Sequence, residues 1–311
     1  MNILLWHVHG SWTTAFVQGE HQYFVPVVPD RGPDGRGRAQ TWEWPQNVIE
    51  LPPERLALEK IDVLIVQRPH ELTELAPRWL AREPGRDVPT IYVEHDAPQG
   101  EILNMMHYAA NRPELTVVHV THFNDLFWNT GSTPTRVIEH GVIDPGYRYT
   151  GQLERSAIVI NEPSRRGRVT GSDLIDRFAQ VAPVDLFGIS AAMVGGIENL
   201  PQEQLHSEMA KRRVYIHPVR WTSLGLSLIE AMHLGMPVIA LATTEVPKAV
   251  PCEAGYISTD ISELLEYTRE LITNPKQARR MGQAAREVAL ARYGLPQFLR
   301  NWDTLLAEVA A

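Results

Sequence analysis

The sequence predicts a two-domain α/β protein in which each domain is built on a parallel β-sheet. Short aliphatic and β-branched runs alternate with longer helical patterns along the chain, as in proteins with parallel sheets. At 311 residues the chain is long enough for two ordinary domains. A segment rich in glycine and turn-forming residues, IDPGYRYTGQLERS, separates two series of strands and indicates a linker.

The first domain is predicted over residues 1–150. Its loop Asp30–Gln46 contains three glycines and two prolines without an apolar period, which predicts a long irregular segment suited to substrate contacts. The predicted strands are Ile3–Val8, Tyr23–Val28, Asp62–Val66, Thr90–Val93, Thr116–Val120 and Arg136–Ile138.

The second domain is predicted over residues 151–294 and is followed by a C-terminal helix over residues 295–311. The helical pattern of Leu295–Val309 follows a Gly-Leu-Pro break, which marks a new helix. Two Rossmann-like halves of similar size account for the whole pattern. The strands predicted in the second half are Ala157–Ile160, Val184–Phe187, Val214–His217, Pro237–Leu241 and Gly255–Ile257.

The composition is that of a globular protein, with 44% hydrophobic and 21% charged residues. A net charge of -8 argues against nucleic acid or an anionic membrane as the main partner. The single cysteine, Cys252, excludes an internal disulfide. Because no apolar run approaches roughly 18 residues, and the apolar N-terminus lacks a signal peptide's basic residues and cleavage site, we expect a cytoplasmic protein without an integral membrane segment.

The strongest candidate site is the stretch WTSLGLSLIEAMHLGMPVIA, from Trp221 to Ala240. It follows a predicted strand, and Gly225 precedes a helix, where backbone N–H groups can approach a phosphate closely. Glu230 lies about one turn into that helix, where its carboxylate can accept hydrogen bonds from a ribose diol. The pattern alone fits an ordinary strand–loop–helix with a surface glutamate about equally well.

This stretch resembles the signature of glycosyltransferase family 4, also called glycosyltransferase group 1, in which a glycine loop precedes LEAMACGTPVIA. That family has two glutamates separated by seven residues; the second falls on Glu230, the expected ribose ligand, and the first falls on Thr222. The resemblance implies that Thr222, Ser223, Gly225 and Leu226 contact the donor. A threonine supplies no charge, so the identity of the donor sugar stays open.

A second segment, SRRGRVTGSDLIDRFA, is similar to the family's Gly-Arg, Lys-Gly and Asp-Leu pattern. Arg165 matches the arginine that holds the donor diphosphate, whereas Thr170 replaces the lysine. Arg168 is a second candidate, since arginine forms forked contacts with phosphate. In isolation, RRGR more often marks a solvated basic surface; its place after the first strand of the second domain favours phosphate binding.

The first domain resembles the family more loosely. In HGSWTT, Gly10 and Ser11 occupy the position of a glycine-rich turn that contacts the donor. In YVEHDAPQ, His95 ends a predicted strand, as does the family histidine beside the reacting sugar. A lone histidine is often structural, but this placement makes His95 the candidate catalytic residue.

The resemblance implies the GT-B architecture, with two Rossmann-like domains facing across a cleft and a last helix that crosses back to the first domain. It implies transfer of a sugar, with retention, from a UDP- or GDP-sugar to an acceptor hydroxyl, without a metal ion or other cofactor. The histidines do not fall at metal-ligand spacing with carboxylates. A catalytically impaired GT-B-like protein that binds a nucleotide or sugar is the alternative, and a GT-B epimerase or phosphorylase fits the motif less well.

Overall fold

The computed structural model describes residues 1–311, which form two compact units. Unit 1 comprises Met1–Gly141 and Leu295–Ala311, and unit 2 comprises Val142–Gly294. Residues 142–150, which the sequence pattern assigns to the first domain, thus belong to unit 2. Backbone contacts hold them there, because the amides of Arg148 and Tyr149 donate to the carbonyl of Leu234 at 3.2 and 3.1 Å.

Unit 1 contains a parallel sheet of seven strands in the order β3-β2-β1-β4-β5-β6-β7. The central strands β4 and β5 are buried along their whole length, as expected when helices cover both faces of a parallel sheet. The strands are β1 (Asn2–Leu5), β2 (Gln22–Pro26), β3 (Val48–Leu51), β4 (Val63–Val66), β5 (Thr90–Glu94), β6 (Leu115–His119) and β7 (Thr135–Val137). The helices are α1 (Gly10–Phe16), α2 (Pro53–Leu56), α3 (Ala76–Leu80) and α4 (His122–Phe127), with a π-turn at Glu71–Leu75 and a 3-10 turn at Ile102–Asn104.

Unit 2 contains a parallel sheet of five strands in the order β12-β11-β10-β8-β9. These strands are β8 (Leu153–Val159), β9 (Val184–Phe187), β10 (Arg212–His217), β11 (Val238–Leu241) and β12 (Gly255–Ser258). The helices are α5 (Pro163–Thr170), α6 (Ile175–Ala179), α7 (Gln202–Met209), α8 (Leu226–Leu234), α9 (Val246–Ala249), α10 (Ile261–Thr273) and α11 (Pro275–Tyr293). Two 3-10 turns lie at Ser172–Leu174 and Ala191–Val194.

The last helix, α12 (Leu295–Ala310), belongs to unit 1. Its Trp302 is buried and packs edge-on against Trp12 and Phe16 of α1, with ring centroids 5.7 and 4.9 Å apart. Burial of such large aromatic surfaces contributes about 2–3 kcal/mol per residue, which explains why this helix packs on α1. No helix is long and apolar enough to span a membrane.

Each sheet has one point at which the strand order reverses direction. In unit 1 this switch point lies between β1 and β4, and in unit 2 it lies between β8 and β10. Ligands of open α/β sheets bind outside the carboxyl ends of the strands at such points. The loops after these four strands are therefore the first places to examine for a site.

The sequence-based boundaries differ from the structure mainly beside these switch points. The first strand ends at Leu5 and not at Val8, because the following residues form the switch-point loop. The basic SRRGR segment is helix α5, kinked at Gly167, where φ is 39°. The edge strand β3 was not predicted; it is only four residues long and mostly half-buried, so its apolar pattern is weak.

Candidate active site

In unit 2 the loop between β10 and α8 forms one side of the switch point. Gly225 is the N-cap of α8, and no side chain caps the helix there, which leaves first-turn N–H groups available to an anion. A Cβ at Gly225 would lie 2.7 Å from Cε1 of His217. Glycine is required at this position because the imidazole of His217, at the end of β10, fills the space.

The segment that follows α5 and the loop after β10 are joined by backbone contact and by one arginine. Gly171, at φ +76°, lies so close to Pro218 that a Cβ would be 1.9 Å from the Pro218 carbonyl oxygen. Arg220 donates to both carboxylate oxygens of Asp173 at 2.6 and 2.9 Å, and these hydrogen bonds lower the pKa of Asp173. Arg220, which is not among the residues predicted from the sequence, fixes the relative position of the two loops.

Glu230 lies in the second turn of α8 and is only 6% exposed. Its Oε2 is 3.5 Å from Nε2 of the buried His206 on α7. The carboxamide nitrogen of Gln202 lies 2.8 Å from the same imidazole nitrogen. Glu230 is therefore not an ordinary surface glutamate. It is a buried carboxylate, and such a group requires polar partners.

The arginines of α5 differ in their partners. Arg165 donates to Glu162, and its side chain is 69% exposed. Arg168 lies 3.3 Å from the carboxylate of Asp173, whereas the side chain of the half-buried Arg166 makes no hydrogen bond or ion pair. The hydroxyl of Thr170, where the family has lysine, donates to the Gly167 carbonyl at 3.3 Å, so it supports the kink in α5.

The remaining predicted donor contacts of unit 2 lie in the same loop or at its end. Thr222 is half-buried, Ser223 is buried, and Leu226 is the first residue of α8. By contrast, the buried Glu245 after β11 lies 3.6 Å from the side-chain nitrogens of Lys248 and Arg292. These ion pairs give Glu245 a structural role.

In unit 1 three histidines pack together near the carboxyl edge of the sheet. The ring of His95, directly after β5, lies 3.9 Å from that of His9 and 6.4 Å from that of His140, measured between centroids. Burial lowers the pKa of His95 well below its usual value and that of His140 to about 4. All three rings are neutral at pH 7, since burial also lowers the pKa of His9.

Gln67, directly after β4, contacts His95. Its Oε1 lies 3.0 Å from His95 Nε2, and its side-chain nitrogen donates to the carbonyl of Trp6 at 2.8 Å. Neither His9 nor Gln67 was selected from the sequence. The only signal was that each follows a predicted strand, and the strand order β1-β4-β5 is what brings the two residues to His95.

Gly10 begins α1, and the loop predicted over Asp30–Gln46 covers it. A Cβ at Gly10 would lie 2.7 Å from the ring of Trp42, and Trp44 of the same loop donates to the hydroxyl of Thr14 at 2.9 Å. Ser11 is half-buried beside Gly10. No group of three or more His, Cys, Asp or Glu side chains in the chain is arranged to hold a metal ion.

Residues 191–288, within unit 2, match the family described as Glycosyl transferases group 1. No curated protein sequence matches the chain. The match includes the loop before α8 and Glu230, and it stops short of unit 1.

Solved structures extend the likeness to the whole chain. Sucrose-phosphate synthase from Thermosynechococcus elongatus is 15% identical with a TM-score of 0.73, and the alignment covers 99% of both chains. Anabaena HepE in complex with UDP is 14% identical with a TM-score of 0.69, over 99% of this chain and 100% of that one. A glycosyltransferase from Rickettsia africae is 12% identical with a TM-score of 0.64, over 99% and 97% of the two chains.

The two parallel sheets, and the likeness to solved glycosyltransferases over the whole chain, confirm the fold class predicted from the sequence. The chain has the fold of GT-B glycosyltransferases, and residues 191–288 of its second unit match the glycosyl transferases group 1 family.

Proposed function

We propose that the chain transfers a sugar from a nucleoside diphosphate sugar to an acceptor hydroxyl, with retention at the anomeric carbon and without a metal ion. The main support is the arrangement at the switch point of unit 2. The uncapped N-terminus and the buried carboxylate belong to α8, and the arginines belong to α5, whose end is linked to the loop before α8 by a hydrogen bond from Arg220 to the Arg168 carbonyl. These groups complement the phosphates and the ribose diol of a nucleotide.

Each part of the donor is assigned a partner in this proposal. Glu230 accepts hydrogen bonds from the ribose hydroxyls, and the amides at Gly225 and Leu226 bind phosphate oxygens. Thr222 and Ser223 supply hydroxyl groups for the sugar. The diphosphate is held by the cations of α5, namely Arg165, Arg166 and Arg168.

Unit 1 supplies His95, which in this proposal hydrogen-bonds a hydroxyl of the donor sugar. Its ring is neutral because burial disfavours the imidazolium ion. The turn at Gly10 and Ser11 approaches the same sugar or the adjacent phosphate. A neutral group suits this position, since a cation beside the anomeric carbon would oppose the positive charge that develops there.

The reaction breaks the bond between the anomeric carbon and the diphosphate oxygen and forms a bond to the acceptor oxygen on the same face. The departing diphosphate takes the acceptor proton, so the products are the glycoside and the nucleoside diphosphate. Arginines and helix amides stabilise the negative charge on the leaving group. Exclusion of water around the site limits hydrolysis of the donor.

UDP is the first nucleotide to test. Structures of Anabaena HepE are described with UDP, with UDP and glucose, and with UDP-glucose, and Staphylococcus aureus TarM is described with UDP. GDP-sugars are the second group of donors. The acceptor is proposed only as a hydroxyl-bearing molecule.

A catalytically impaired protein that binds a nucleotide or a sugar is the second candidate function. It is favoured by Thr222, which stands where the family has a glutamate and brings no charge to the sugar. Binding of a nucleotide then persists, but transfer does not.

Calorimetric titration with UDP, GDP and ADP, followed by assays of donor hydrolysis and transfer in the presence of EDTA, tests the proposal. We expect micromolar binding of one nucleotide, turnover with its sugar in EDTA and a product of unchanged anomeric configuration by NMR. Binding without turnover of any donor favours the second candidate. An inverted product contradicts retention, and activity that EDTA abolishes contradicts metal independence.

A further inference from the structure

The orientation of the Gln67 side chain is fixed by two contacts. Its Nε2 donates to the carbonyl of Trp6 at 2.8 Å, which leaves Oε1 facing His95 Nε2 at 3.0 Å. A carbonyl oxygen only accepts hydrogen bonds, whereas the nitrogen of an amide only donates them. If the amide of Gln67 were turned over, its N–H group would face His95. Its oxygen would then face the carbonyl oxygen of Trp6, and the two acceptors would repel each other.

The proton on His95 follows from this orientation. Because Oε1 of Gln67 only accepts, the nitrogen facing it must carry the hydrogen, so His95 bears its proton on Nε2. Burial keeps the ring neutral, and a neutral imidazole has one protonated nitrogen. Nδ1 therefore carries a lone pair, and no hydrogen bond within the chain engages it.

Gln67 is in turn held by a buried carboxylate. Its backbone N–H donates to Oε2 of Glu71 at 2.6 Å, and Arg68 donates to Oε1 of the same residue at 2.6 Å. Glu71 is fully buried. A glutamine positioned by this network has little freedom to turn its amide over, since that would break a buried hydrogen bond.

We propose that Gln67 is a positioning residue that locks His95 in the Nε2–H tautomer, so that Nδ1 accepts a hydrogen bond from a hydroxyl of the donor sugar. The inference rests on the proposed function of His95 and adds a determinant of specificity to it. A sugar with a free hydroxyl at the contacted position is accepted. A sugar with a methoxy or carboxylate group there is disfavoured, because two acceptors then face each other.

The surroundings of His95 contain few other ionisable groups. His9, after β1, and His140, after β7, face its ring, and Trp12 of α1 contributes a ring edge at 5.1 Å. The nearest cation, Arg68, is already paired with Glu71 and Asp34, so a new carboxylate at position 67 acts mainly on His95.

The tautomer is tested first, by ¹⁵N NMR of the full chain labelled at histidine, with His95→Gln used for assignment. We expect the wild type to show a protonated Nε2 and an unprotonated Nδ1. Gln67→Leu, which removes the acceptor at similar volume, is expected to shift His95 towards the other tautomer or a mixture. Gln18→Leu is the matched control, since the only side-chain hydrogen bond of Gln18 goes to the Thr14 carbonyl of α1. A wild type protonated on Nδ1, or a Gln67→Leu spectrum equal to that of the wild type, overturns the proposal.

The kinetic consequence is tested with the best donor. Gln67→Leu is expected to lower kcat about tenfold, the effect of one misplaced buried hydrogen bond, while affinity for UDP stays within about twofold. Gln67→Glu stabilises the imidazolium form, in which Nδ1 is protonated and cannot accept. Activity of Gln67→Glu should therefore fall at a higher pH than that of the wild type as the pH is lowered.

The outcomes separate this inference from the proposed function. If the wild type neither binds a nucleotide nor transfers a sugar, the proposed function fails while the NMR experiment still decides the tautomer. Suppose that Gln67→Leu changes the tautomer but keeps the wild-type kcat, and that Gln67→Glu keeps the wild-type pH profile. The positioning role is then overturned, and Gln67 is structural.

Discussion

The two units use the same structural device in chemically different ways. Both have a parallel sheet with a switch point, between β1 and β4 in unit 1 and between β8 and β10 in unit 2. At the switch point of unit 1 lie neutral histidines and a glutamine, and Trp42 packs against Gly10 of the same region. At that of unit 2 lie arginines, a buried glutamate and an uncapped helix.

We infer from this difference that the fold determines where each candidate site lies, whereas the side chains after the strands determine which chemical groups it suits. Unit 2 has the charges that a diphosphate requires. Unit 1 has uncharged hydrogen-bonding groups, which suit a sugar.

The contact between the two loops of unit 2 is tested by Gly171→Ala. This change adds a Cβ 1.9 Å from the Pro218 carbonyl oxygen, in a backbone with φ +76°. We expect a loss of about 3 kcal/mol in the free energy of unfolding, from backbone strain and overpacking together. Gly195→Ala is the matched control, because its φ is +77° and nothing lies within 4 Å; it should cost only about 1 kcal/mol. Equal losses in urea unfolding would show that the loop contact is unimportant.

The division of roles between the units is tested by Glu230→Ala and His95→Gln. Glu230→Ala should weaken UDP binding about 30-fold, as for hydrogen bonds to a charged group. His95→Gln should leave UDP affinity within about twofold and lower turnover instead. Titration calorimetry measures both affinities, and the exposed Glu266→Ala on α10 is the control. A loss of UDP affinity in His95→Gln would contradict the contrast between the two sites.

The buried histidines of unit 1 are expected to make its stability depend on pH. The pKa of His140 is lowered from 6.5 to about 4 by burial, so between these values the unfolded chain binds more protons than the folded one. Stability should therefore fall as the pH drops from 6.5 towards 4, by up to about 1.4 kcal/mol per pH unit for this group. His140→Asn should flatten this dependence in urea unfolding at pH 7 and pH 5. The exposed His122→Asn is the control. If the stability of His140→Asn falls with pH as steeply as that of the wild type, the pH dependence does not come from His140.

The smallest effect is expected among the arginines of α5. Arg165 must break its hydrogen bond to Glu162 to bind a phosphate, whereas the side chain of Arg166 has no hydrogen bond to break. Arg166→Ala should weaken UDP binding about fivefold and Arg165→Ala about twofold, in the range of exposed charge pairs. Uridine, which has no phosphate, should bind equally to all three proteins in thermal-shift assays. If Arg165→Ala weakens UDP binding more than Arg166→Ala does, then Arg165, which the family resemblance selects, is the main phosphate ligand of α5.

Much of the fold could be predicted from local patterns. The strand Val184–Phe187 has the same bounds in the structure as in the prediction, because a short apolar run beside turn residues is a local signal. Edge strand β3 was missed, since few of its side chains are buried. Within the candidate site, the resemblance selected Gly225 and Glu230 because both lie in one continuous motif. The roles of all these residues in binding stay predictions.

The α/β class could be predicted from the sequence because it depends on local periodicity, and the resemblance that implied the GT-B architecture rests on contiguous motifs. Only the tertiary structure brought Gln67 to His95, joined Arg220 to Asp173 and buried Glu230 beside His206. The reason is physical: parallel strands that neighbour each other in a sheet are distant in sequence. Contacts made after their ends depend on strand order, which no local pattern contains.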